Sequence, residues 1–150
     1  MMVRKIAVNV ARLVIAMTFI LSGFVKAVDP LGTQYKIDDY LKAMQLGTFV
    51  PDFLTLTASV LLSAVEFGLG ICMLFAIRRR LVSLLALCMM IPMTALTLWL
   101  AVANPVTDCG CFGDAVTLTN WQTFTKNVVL LGCAAIVRYR PLDMMRFVSK

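Results

Sequence analysis

The sequence predicts an all-α membrane protein: a four-transmembrane-helix bundle with both termini cytoplasmic and a short outward-facing surface helix in the first connection. Three observations predict it. Of the 150 residues, 61% are hydrophobic and only 15% charged, with a mean hydropathy of +0.89, well outside the range of soluble domains. Crossing about 30 Å of hydrocarbon at roughly 1.5 Å per helical residue takes about 20 apolar residues, and four stretches read that way. Lysine and arginine gather at the N-terminus, in the second connection and in the tail, the pattern of short loops kept on the cytoplasmic side.

The first stretch runs from Ile6 to Val28. It is too long for a signal-peptide core, and its exit, GFVKAVDP, lacks a small-x-small cleavage site, so it is a retained helix. In the connection from Asp29 to Pro51, Ile37, Tyr40, Leu41 and Met44 recur at helical spacing, with Asp38 and Asp39 in the first turn and Gly47 just past the end. This predicts a short helix lying on the outer membrane surface. The second stretch, Phe53 to Ile77, and the third, Leu81 to Ala103, flank the triplet Arg78, Arg79, Arg80. Within the third, Pro92 lacks the amide that would bond the Cys88 carbonyl, which predicts a kink. Thr119 and Gln122 have capping-box spacing and open the fourth stretch, Trp121 to Tyr139, whose start is interrupted by Lys126 and Asn127. Trp121 falls at the boundary between water and lipid, where indoles prefer to sit. There is no internal repeat or low-complexity linker, so residues 1–150 are read as a single domain.

Charge sets the orientation. Arg4 and Lys5, the arginine triplet, and Arg138, Arg140, Arg146 and Lys150 all fall on one side of a four-span topology. The third connection has no Lys or Arg, and in the first Lys36 and Lys42 are offset by Asp29, Asp38, Asp39 and Asp52. Anchoring at an anionic inner leaflet accounts for the net charge of +6 without a nucleic-acid partner.

The outward third connection holds DCGCFGD, Asp108 to Asp114. Disulfides form and persist on that side of a membrane. Two cysteines one residue apart are bridged only through a tight turn, which Gly110 permits, and the small ring this makes is strained and easily reduced. A loop this short removes little unfolded-state entropy, so it staples poorly. Cys109 and Cys111 are therefore candidate catalytic residues for thiol-disulfide exchange. Lys26 and Lys126 are placed to approach the pair and lower a thiol pKa, while Asp108 and Asp114 oppose that unless one shuttles protons or pairs with a lysine. A structural bridge is the bland alternative. Metal is the third: one pair gives two soft ligands where structural zinc takes four, and the chain has no histidine, whereas Cu(I) accepts thiolates with thioethers and ten methionines are present.

Glu66 falls near the middle of the second stretch. It is either a proton or quinone contact or a neutral carboxyl bonding another helix. Cys72, Cys88 and Cys133 lie too deep to reach the pair and read as small apolar residues, and Ser22, Gly23, Ser63, Gly68, Gly70 and Gly132 mark close helix contacts.

Taken together, the first stretch ending in LSGFVKAVDPLG, the mid-span Glu66, DCGCFGD and the following TNWQTFTKNVVLL resemble the MauE branch of the DoxX-like membrane proteins over nearly the whole chain. The resemblance implies a bundle in a bacterial cytoplasmic membrane, a link to maturation of the disulfide-rich methylamine dehydrogenase, thioredoxin-like partners, and in distant relatives a tie to quinone. By motif it carries over Cys109, Cys111, Lys26, Trp121, Lys126 and Asn127. The expected function is disulfide exchange with a periplasmic thioredoxin-like or client protein, with quinone as possible cofactor near Trp121, Phe112 and Lys126. The alternatives are a non-catalytic assembly factor or scaffold subunit, and a Cu(I)-handling protein.

Overall fold

A computed structural model describes residues 2–107 and 118–145. The chain forms α1 (Met2–Val28), α2 (Pro30–Ala43), α3 (Asp52–Leu74), α4 (Arg79–Ala103) and α5 (Asn120–Tyr139), closed by a 3-10 turn over Pro141–Asp143. The described residues contain no strand. α1 packs most extensively on α3 and α4 on α5, α5 closes against α1, and α3 and α4 meet only loosely.

Among the described residues three helices, α1, α3 and α4, are long and apolar enough to cross a membrane, which corrects the expected four. α5 forms where predicted, but Asn120, Gln122, Thr123, Thr125, Lys126 and Asn127 fill its first two turns. Its uninterrupted stretch without charge or amide side chains, Val128 to Val137, covers only about 15 Å, half the hydrocarbon thickness. Asn120, Thr123 and Asn127 turn inward and are buried.

The bundle buries an apolar core together with an unusual number of polar groups, and its outside is apolar. Val10, Leu13, Val14, Met17 and Leu21 of α1 are exposed, while Arg12, Lys26, Ser59, Ser63, Glu66 and Thr97 are buried. Water would select against the exposed aliphatic face and the buried charges. Lipid is as apolar as leucine, so exposed aliphatic side chains cost nothing there and the polar groups must bond one another inside.

Close approach of α1 to α3 depends on two glycines. A Cβ at Gly23 would stand 2.6 Å from the Phe67 amide nitrogen, and one at Gly70 would stand 2.8 Å from the Ile20 nitrogen. Gly68 and Gly132 face open space, so they do not mark helix contacts as expected. Cys72 and Cys133 pack against the apolar core as predicted, whereas Cys88 is exposed on the outside of α4.

The first connection departs from expectation. Asp29 caps α2 by accepting from the Gly32 amide at 2.9 Å, and Pro30 occupies the first turn, where its missing N–H is no loss. The helix thus starts well ahead of Asp38 and Asp39, which lie in its third turn. It is also fastened to α3: Ser59 Oγ donates to the Pro30 carbonyl at 2.8 Å and Gln34 Nε2 to that of Asp52 at 3.1 Å. Further on, α4 runs unbroken through Pro92.

The end of the bundle with the N-terminus, the α3–α4 turn and the tail is laced by basic and amide side chains. Arg79 donates to the carbonyls of Leu142 and Met144, both at 2.8 Å, and Arg4 Nε meets Asp143 at 2.9 Å. Asn9 donates to the Asp143 carbonyl at 3.2 Å and accepts from the Met145 amide at 2.9 Å. These contacts seat Met144 in the core.

Gly23→Ala and Gly70→Ala should each destabilise the protein by about 1–3 kcal/mol through forced separation of α1 and α3. Gly68→Ala and Gly132→Ala should be neutral or stabilising by up to about 1 kcal/mol, the helix-propensity gain. Thermal unfolding in detergent separates the two pairs.

Candidate functional site

Four of the sequence-predicted residues converge inside the bundle. Lys26 sits in the last turn of α1, where a basic residue suits the helix dipole. The Gly23–Phe67 approach brings it level with Glu66 of α3, and Lys26 Nζ donates to Glu66 Oε2 at 2.6 Å. Their side chains are only 6% and 9% exposed. A second Lys26 donor goes to Ser22 Oγ at 3.1 Å, one turn back on α1. Glu66 is thus salt-bridged, an arrangement the sequence reading did not foresee for either residue.

The pair lines a cavity of about 20 Å³, large enough for one water-sized guest. α5 contributes Lys126 and Asn127, α1 contributes Thr18 and Ser22, and Met90 and Met93 of α4 form the apolar wall together with Phe19 and Leu130. Asn127 is held by donating to Thr97 Oγ1 at 3.3 Å and to the Met93 carbonyl at 3.4 Å. Thr97 in turn donates to the Met93 and Thr94 carbonyls, both at 3.0 Å. Lys126 is half-buried, the more exposed of the two lysines. Charge in the cavity therefore comes from α1, α3 and α5, and none from α4.

The stems of the third connection are also fixed. Asn104 ends α4 in the left-handed conformation, φ 46°, which Asn tolerates better than most residues. Asn120 Nδ2 donates to Asn104 Oδ1 at 2.9 Å and to the Val106 carbonyl at 2.7 Å, tying the exit of α4 to the entry of α5. Asn120 Oδ1 is buried and has no hydrogen-bond partner among the described residues. The predicted capping box is present, with Thr119 Oγ1 accepting from the Gln122 amide at 3.3 Å and Gln122 Oε1 from the Thr119 amide at 3.1 Å.

Cys109 and Cys111, with Asp108, Phe112 and Asp114, lie outside the described residues. Trp121 is 59% exposed and meets Phe124 edge-on at 6.2 Å on the outside of α5, away from the cavity. Among the described residues no cluster of three or more Cys, Asp or Glu could hold a metal ion. Sequence reasoning missed Asn120 and Thr97. Nothing marked Asn120, while the four-residue spacing of Ser22 and Lys26 was a legible sign of their contact.

Fold and site define an integral membrane helix bundle built around a buried ion pair. The chain belongs to the family of the methylamine utilisation protein MauE, whose model matches residues 4–140. No curated protein and no solved structure matches it.

Lys26→Met or Glu66→Leu alone leaves its partner charged and buried and should cost about 3–5 kcal/mol, whereas the double variant should recover most of that. Denaturant unfolding of all three in micelles provides the check, and equal effects of single and double variants would show that the pair is not coupled.

Proposed function

We propose that this protein is a membrane thiol-disulfide oxidoreductase serving methylamine utilisation, exchanging disulfides with a periplasmic thioredoxin-like or client protein through Cys109 and Cys111. The observation that carries this reading is the position of the connection bearing both cysteines. It leaves from the Ala103 end of α4, about 36 Å of helix away from Arg79 and the other clustered basic residues. With the basic end in the cytoplasm of a bacterial inner membrane, the cysteines face the oxidising side.

In the oxidising direction, a thiolate of the partner attacks one sulfur of the Cys109–Cys111 disulfide and a mixed disulfide forms. The partner's second thiolate then displaces it. The partner leaves oxidised and the protein pair holds two electrons and two protons. A lipid-soluble quinone would supply the two-electron acceptor that returns the pair to the disulfide, and Trp121 and Phe112 are the residues that would hold its ring. Lys126 lies about 9 Å of helix below Asn120, on the helix that the cysteine connection enters, and is suited to stabilising a thiolate. Lys26, Glu66 and Asn127 hold that side of the cavity polar, and Asp108 and Asp114 exchange protons with water.

Cys109→Ser or Cys111→Ser should abolish exchange, and one of the two should trap a mixed disulfide with the partner in membranes. Full function of both variants would sink the catalytic reading and favour a scaffold, and copper bound stoichiometrically to purified protein would favour Cu(I) handling. Asn120→Ala, which unties the two stems, should slow exchange while Thr125→Ala, on the outside of α5, should not; rates of partner oxidation measure both.

A further inference from the structure

We propose that the basic end of the α1–α5 seam is a binding site for an anionic phospholipid of the surrounding bilayer, with one acyl chain between the helices and the phosphate at Arg4 and Arg140.

An open groove of about 550 Å³ runs along this seam. That is within the range of about 300–1,000 Å³ usual for small-molecule sites. Its walls are Ala7 and Val8 of α1 and Ala135 and Ile136 of α5. The two alanines leave the helix surfaces hollow where longer side chains would close them. No charge reaches the walls; charge enters only at the rim. Arg4 lies one turn before Val8 and Arg140 one turn after Ile136, so both guanidinium groups are offset about 5 Å toward the end of the bundle.

Both arginines keep donors for a phosphate. Arg4 uses Nε on Asp143 and is half-exposed, which leaves its two terminal nitrogens. Arg140 Cζ lies over the Tyr139 ring, 5.2 Å from its centroid, and the residue is exposed, a cation–π contact that leaves N–H donors for a ligand. Behind Tyr139 and Arg140 a second hollow of about 330 Å³ adds Arg80 to the same rim. Three arginines thus stand against one carboxylate, Asp143, and that carboxylate is engaged by Arg4.

The bilayer supplies the ligand that meets both demands. Apolar walls call for a hydrocarbon chain, and the surplus positive charge at the rim calls for a headgroup with net negative charge rather than a zwitterion. A soluble anion satisfies the rim and leaves the walls bare.

The test is lipid retention by the purified full chain, followed by native mass spectrometry in detergent with added phosphatidylglycerol, phosphatidylcholine of the same chains, or glycerol phosphate. Phosphatidylglycerol should bind with about tenfold preference over phosphatidylcholine, the size of effect expected of one or two charge-assisted contacts, and glycerol phosphate should not be retained. Arg4→Gln with Arg140→Gln should erase the preference, Ala135→Phe should weaken retention of both lipids, and Arg78→Gln, which removes one charge outside the groove, should change neither. Arg140→Gln alone carries the test if the double variant fails to fold. Equal retention of the two phospholipids, an equal loss with Arg78→Gln, retention of glycerol phosphate, or a lipid-free dimer would each overturn the site.

Discussion

The Lys26–Glu66 ion pair constrains the rest of the bundle. A lone lysine or glutamate in hydrocarbon costs several kcal/mol, so each side chain requires the other, and the two lie 40 residues apart on different helices. Their contact at 2.6 Å fixes the register of α1 on α3. That register puts Gly23 opposite Phe67 and Gly70 opposite Ile20, where a Cβ would collide with backbone. Shifting either helix by one turn would separate the charges and bury the glycines against the wrong partners. In lipid, where apolar burial gives helices no reason to associate, a polar contact of this kind selects one arrangement among many that pack equally well.

The pair also explains why α5 is less apolar than its neighbours. A cavity with a buried carboxylate and two lysines needs polar groups on its walls beside the apolar ones. α5 provides them with Lys126 and Asn127, and Asn127 is held by Thr97 of α4. Residues that weaken α5 as a membrane-crossing helix are those that complete the interior. Apolar length alone measures how a helix meets lipid, and α5 meets other helices along its polar face.

Much of the fold was legible in the sequence because lipid imposes long apolar stretches and alternate placement of basic residues. The ends of α1, α3, α4 and α5 fall within a few residues of their expected positions, and the capping box at Thr119 and Gln122 reads directly from its spacing. What was not legible depends on tertiary contact. The start of α2 was signalled by Asp29 and Pro30, yet the apolar stripe over Ile37, Tyr40 and Leu41 drew attention further along. The fastening of α2 to α3 through Ser59 and Gln34 leaves no periodic trace. Of the candidate site, Glu66 was identified as a carboxyl within an apolar span, Lys26 and Lys126 as cations able to approach the cysteine pair, and Asn127 through the family motif. Their convergence depends on helix rotation, which no single-helix pattern encodes.

The two ends of the molecule carry opposite demands, and the buried pair stands between them. At the basic end, arginines and amides tie the tail to α1 and α4, and a charged rim overlies an apolar groove, an arrangement suited to holding position in a leaflet. At the other end, a short connection rooted by Asn104 and Asn120 carries the cysteines, and in the proposed reaction its charge changes as thiolates form and disappear. A thiolate within about 10 Å of Lys126 would interact with it by roughly 1–2 kcal/mol at an effective dielectric of about 20, enough to move a thiol equilibrium by about one power of ten. Glu66 is already paired with Lys26, so a new negative charge near the cavity is not repelled by an unpaired Glu66 carboxylate. On this view the ion pair contributes to chemistry by removing a competing anion, and a protein that lost Lys26 but still folded would hold its thiols less acidic than one that lost both members of the pair.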